Sequence, residues 1–171
     1  ADLSDSAGLG SRADELRAQY LKRWPGDQES AFEILETLAR KELAALGPAQ
    51  PLATLLATPK PATKGAAAGP PSYLAQYMKH VAQKPSMASK PLLAEVRFRF
   101  AEEAFQRYAG VALTQPLPKS IAAKQRQLDS VLVRYRRTVD MGVPEWAHAA
   151  TYRIGEALVG FGQALEQSER P

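Results

Sequence analysis

Residues 144–165 read PEWAHAATYRIGEALVGFGQAL, and the spacing of their apolar side chains decides the fold class. Trp146, Ala150, Ile154, Leu158, Phe161 and Leu165 recur at steps of three or four, the repeat of one helix face. Ala149, Tyr152, Ala157 and Ala164 lie on adjoining faces, so this helix is apolar on more than one side. Gly155, Gly160 and Gly162 interrupt it, each at a cost of about 1 kcal/mol against Ala. Glycines in a run of good helix formers predict places where another helix passes close to the backbone. A helix of this kind needs neighbours, and the rest of the chain supplies them.

Immediately upstream, Met141-Gly142-Val143-Pro144 is a helix stop and restart. Before it, residues 119–139 carry one apolar stripe (Ile121, Leu128, Val131 with Leu132, Tyr135, Val139) and an otherwise polar, basic face. Residues 92–108 follow Pro91, which suits a first helical turn. Two stripes coexist there: Leu93, Val96, Phe100 and Ala104 on one side, and Ala94, Phe98, Ala101, Phe105 and Tyr108 on the other. Such a helix is buried between neighbours. Within it VRFRF alternates as a strand would, but it sits inside a long helical pattern, and helix is the reading taken.

Toward the N-terminus the same periodicity weakens. Residues 1–10 are small and polar and are expected to be a flexible tail. Residues 11–46 form a helical hairpin broken at Trp24-Pro25-Gly26-Asp27, with Asp27 or Gln28 capping the second helix and Gly47-Pro48 stopping it. Residues 47–71 are rich in proline and alanine and read as a linker or long loop, with one short helical turn in PLATLLA. Residues 72–83 are a short helix, and 72–171 together make a C-terminal helical region. The expectation is an all-α chain of about six helices.

The pattern Ile154-Gly155-x-x-Leu158-x-x-Phe161 resembles the first helix of a tetratricopeptide (TPR) repeat, in which an apolar residue and a glycine precede a large apolar residue three positions on. Thr151 stands where that family often has Trp, and Leu158 where it often has Tyr. YLKRWPGD, in turn, looks like an inter-repeat turn. The wider stretch from AEEAFQRY through GVPEWAHAATYRIGEAL is similar to divergent TPR segments of bacterial envelope proteins, gliding-motility-associated ones among them. The likeness covers residues 92–165, and 13–46 more weakly; residues 47–71 do not fit it. It implies an α-solenoid-like stack of helical hairpins acting as a scaffold in a multi-protein assembly of a bacterial periplasm or cell envelope. The start at Ala1 fits a processed form or a piece of a longer protein.

Composition narrows the chemistry. In 171 residues there is no cysteine, which removes disulfides, thiolate metal sites and thiol nucleophiles together. No apolar run is long enough to span a membrane. The two histidines, His80 and His148, are not followed at i+3 or i+4 by a carboxylate or a second His, so no helical metal site is expected, nor any cofactor. Glu95, Glu102 and Glu103 could be read as acid–base carboxylates. Glu95 to Arg99 and Glu103 to Arg107 are, however, favourable i, i+4 pairs that explain them structurally. Trp24 and Trp146 adjoin proline turns and are read as packing anchors.

Charge is the remaining signal. The net charge of +4 conceals +7 over residues 84–137 and −3 elsewhere. Lys119, Lys124, Arg126, Arg134, Arg136 and Arg137 crowd one helix, with Arg97 and Arg99 near in sequence. Such a face is either simply solvated or receives an acidic segment of another protein. Nucleic acid or anionic lipid is a weaker alternative, since stacking aromatics are missing from the basic face. The residues expected to contact a partner are Arg97, Arg99, Arg134, Tyr135, Arg136 and Arg137. No catalytic set and no small-molecule substrate are expected. A structural spacer or oligomerisation domain is the alternative to a docking scaffold.

Overall fold

A computed structural model describes residues 3–46, 50–57 and 71–168. Those residues form seven α-helices, one short 3₁₀ turn at Pro85–Met87 and no strand: the chain is all-α. The helices are α1 (Leu3–Arg23), α2 (Gln28–Ala45), α3 (Ala53–Leu56), α4 (Tyr73–Gln83), α5 (Lys90–Ala109), α6 (Leu117–Val139) and α7 (Pro144–Gln167). They fall into two compact units, residues 1–88 and 89–171.

In the first unit, helix begins at Leu3 and not near Ser11, so most of the expected tail is helical. Once a helix exists each added residue gains a bond, and a polar stretch can extend it. Asp27 caps α2 by accepting from the Ser30 N–H (3.2 Å), and the Tyr20 hydroxyl donates to the same carboxylate (2.7 Å). Lys41 of α2 holds Asp14 of α1 at 2.6 Å. Phe32, Leu35, Ala39 and Leu43 of α2 are buried, as are Leu74 and Tyr77 of α4, and Phe32 meets Tyr77 edge-on at 5.9 Å. Glu42 of α2 fastens α4: its two carboxylate oxygens accept from the Tyr73 and Leu74 N–H groups, both at 2.9 Å. These are free N–H groups of a helix start, where an anion also meets the positive end of the helix dipole. The division between units therefore falls after Ala88, and α4 belongs with α2, whereas the sequence reading grouped residues 72–83 with the C-terminal region. Within residues 47–71, the expected helical turn is α3, preceded by a buried Leu52. Residues 47–49 and 58–70 of that expected linker lie outside the described residues. Trp24 is not the anchor anticipated; it is 47% exposed, tilted against Tyr20 at 4.7 Å.

The second unit is a three-helix arrangement. Phe98 of α5 meets both Tyr135 of α6 (5.8 Å) and Trp146 of α7 (5.3 Å), while Tyr108 reaches Lys124 and the Ala157 carbonyl. α6 therefore runs antiparallel to α5, and α7 runs parallel to it. Ala101, Ala104, Tyr108, Leu128, Val131, Tyr135, Ala150 and Ala157 make its core. Gly142, with φ of +66°, turns the chain from α6 into α7; a residue with a Cβ would be strained there.

Candidate interaction surfaces

The polar residues buried in the second unit explain why some charged side chains are not available to a partner. Tyr135 is fully buried, and its hydroxyl donates to Glu102 of α5 (2.5 Å). Arg153 of α7 donates to the other Glu102 oxygen (2.7 Å) and to Glu156 (2.7 Å), with its guanidinium over the Phe105 ring at 5.2 Å. Burial, reinforced by the Glu102 carboxylate, holds the Tyr135 hydroxyl protonated far above the usual tyrosine range. Tyr135 is thus a core residue fastened to α5 that offers no surface, which removes it from the expected contact set. Glu102 is likewise committed to structure.

Lys124 leaves the basic face for the same reason. It is 5% exposed, and its ammonium donates to the Val111 carbonyl at 2.6 Å, lying 4.7 Å from the centre of the Tyr108 ring. A cation at the carbonyl-rich end of α5 is favourably placed. Desolvation lowers its pKa below the ordinary lysine value.

The other expected cations are distributed differently. Lys119, Arg126, Arg134, Arg136 and Arg137 are exposed on the side of α6 away from the core, around a 46% exposed Val133. None of them has an acidic side-chain partner among the described residues. Because α5 and α6 are antiparallel, exposed Arg97 lies at the same end of the unit as Arg134, Arg136 and Arg137. Arg99 is at that end too, but it is half-buried and paired with Glu95 at 2.9 Å, the i, i+4 bond that the spacing implies.

The second surface was not singled out from the sequence. The stripe that buries α7 is centred on Ala150 and Ala157, both 0% exposed, with Ile154 and Phe161 packed beside them. Leu158 (50% exposed) and Leu165 (36%), assigned to the buried stripe by their spacing, face outward. Small residues win the contact because they let α7 approach closely enough for the Tyr108 hydroxyl to bond the Ala157 carbonyl at 2.7 Å. Of the glycines expected at close approaches, only Gly160 has a neighbour, the Tyr108 hydroxyl 3.8 Å from where a Cβ would be. Gly155 and Gly162 face open space. An open groove of about 590 Å³ runs along this side, with Phe105 of α5 beside Tyr152, Gly155, Val159, Gly160 and Gln163 of α7.

Among the described residues no three His, Asp or Glu side chains gather as metal ligands would, and no helix is long and apolar enough to cross a membrane. Set against known protein families, curated proteins and solved structures, the chain matches none.

Proposed function

We propose that this chain is a non-catalytic protein-interaction scaffold, a segment of a larger assembly, and that the outer face of α6 docks an acidic segment of another protein. The observation that carries this reading is the set Lys119, Arg126, Arg134, Arg136 and Arg137, exposed together without acidic partners among the described residues. Arg97 extends the set at one end. The same face also carries exposed Asp129 and Asp140, but five cations against two carboxylates leave it net positive, and like charges on one helix repel one another. Opposite charge on a partner relieves that repulsion and speeds encounter. The rigid support is the core beneath, where Leu128, Val131 and Tyr135 lock α6 in place. The TPR-like sequence pattern at residues 154–161 is in keeping with a scaffold in a bacterial envelope assembly, although Gly155 and Leu158 of that pattern face outward.

The test is affinity capture from native extract, followed by direct binding of the captured protein. Wild type is compared with an Arg134→Glu/Arg136→Glu/Arg137→Glu variant of unchanged circular dichroism. The expected result is a protein bound by the wild type through an acidic segment and lost with the variant. Binding unaffected by the charge reversal would sink the docking assignment. Binding of phosphate polymers with a steep log–log salt slope would replace it with a nucleic-acid or lipid role.

A further inference from the structure

Six exposed positions on α7 share one stripe: His148, Tyr152, Gly155, Val159, Gly162 and Glu166. Their spacing of four, three, four, three and four keeps them on one side of the helix, the geometry in which two helices can lie side by side. This stripe points away from the core. Tyr152 is 67% exposed and Val159 59%, while the sites where Gly155 and Gly162 would carry a Cβ are empty to 4 Å. The result is two knobs and two notches over about 27 Å of helix.

The order of knobs and notches identifies what fits them. Positions 155 and 159 are equidistant from residue 157, as are 152 and 162, and 148 and 166. An antiparallel copy of α7, related by a two-fold axis at the height of Ala157, therefore sets each residue against its mirror position. Tyr152 enters the notch at Gly162 of the copy, Val159 enters the notch at Gly155, and His148 meets Glu166. Every layer pairs large with small, or imidazole with carboxylate, and each pairing occurs twice. This is the condition an isologous interface must meet, in which residue i contacts j and j contacts i. A parallel pairing would instead stack Tyr152 on Tyr152, leave a void between glycines, and oppose two Glu166 carboxylates. A foreign helix imposes no mirror symmetry on the stripe. We infer that the outer face of α7 is the interface of an antiparallel homodimer of this chain. Phe105 of α5, which walls the groove beside Tyr152 and Gly155, flanks the seam. One helix pair is at the small end of specific interfaces, so the dimer is expected to be a weak one.

The test is sedimentation equilibrium of the full chain across a wide concentration range, with variants that move knobs and notches. Gly162→Tyr places two tyrosines in one layer and should weaken the dimer about tenfold or more by overpacking. The monomer should be untouched, since nothing lies near that Cβ, and unchanged circular dichroism verifies this. The transposition Tyr152→Gly/Gly162→Tyr restores one large and one small residue per layer and should restore the dimer. A wild type that stays monomeric throughout would overturn the proposal. A dimer indifferent to Gly162→Tyr, or one lost there and not recovered by the transposition, would overturn the antiparallel α7 pairing.

Discussion

Glu102 is the residue whose loss should be most costly in the second unit. Its two oxygens accept from Tyr135 of α6 and Arg153 of α7, so one carboxylate on α5 ties the three helices together. Glu102→Ala strands the Tyr135 hydroxyl in a fully buried position, at about 1–3 kcal/mol. It also breaks an ion pair whose side chains are 32% and 23% exposed, which solvent screening reduces to about 1 kcal/mol, with Glu156 still holding Arg153. The total is about 3 kcal/mol. For a unit of this size, each kcal/mol moves Tm by roughly 4–8 °C, so a fall of about 12–24 °C is expected. The assay is thermal unfolding followed by the fluorescence of Trp146, packed on Phe98 at 5.3 Å, in a background where the exposed Trp24 is replaced by Phe. Glu102→Leu/Tyr135→Phe removes carboxylate and hydroxyl together and should recover most of the loss, because the penalty comes from leaving one partner alone. A Tm change below about 3 °C in Glu102→Ala, or no recovery in the double variant, would refute the reasoning.

Three further outcomes follow from the geometry. Because Tyr135 keeps its proton in the folded state while the unfolded chain releases it near pH 10, stability should fall as pH rises above about 10, by up to about 1.4 kcal/mol per pH unit. Tyr135→Phe should flatten that limb in alkaline urea titrations, leaving a part due to Tyr108, whose pKa burial also raises; Lys124, with its pKa lowered, acts in the opposite sense only up to about pH 10.5. Glu42→Ala removes both bonds to the α4 start while the Ser72 cap to Ala75 remains, and should destabilise the first unit by about 2 kcal/mol in urea denaturation, with Glu42→Gln retaining part of it. Gly162→Ala should stabilise the second unit by about 1 kcal/mol in the same assay, since the added methyl meets nothing in the monomer.

How much of this was legible in the sequence depends on what each residue had to compete with. Helices α5, α6 and α7 follow from period alone, and Leu128, Val131 and Tyr135 lie on the face that the spacing assigns. The capping role of Asp27 was equally readable, because it is local. Long-range pairings were not. Nothing in the spacing says that Glu42 reaches α4 across about thirty intervening positions, and that contact, together with Phe32 against Tyr77, joins α4 to α2. The face of α7 was misjudged for a related reason. Hydrophobic weight favours Leu158 and Leu165 as core, but the close approach through Ala150 and Ala157 rotates the helix and turns the leucines outward. Among the basic residues, counting could not separate Lys124, which completes the end of α5, from Arg134 and Arg137, which remain in solvent.

The same rotation produces two independent faces on one three-helix unit. α6 directs its cations away from both neighbours, and α7 directs Tyr152, Gly155 and Val159 away from both of its own. A partner seated on α6 and a second copy seated on α7 therefore need not compete. Reversing the charge of Arg134, Arg136 and Arg137 should abolish capture of an acidic partner and leave the sedimentation of the dimer unchanged, while Gly162→Tyr should do the opposite. If both faces act, dimerisation presents two basic surfaces on one particle. A multivalent acidic partner should then bind the wild type more tightly than it binds the Gly162→Tyr monomer, by as much as about a hundredfold where the geometry lets both faces engage. Equal affinity of the two for such a partner would mean that the faces do not cooperate, and that α7 serves assembly without strengthening recognition.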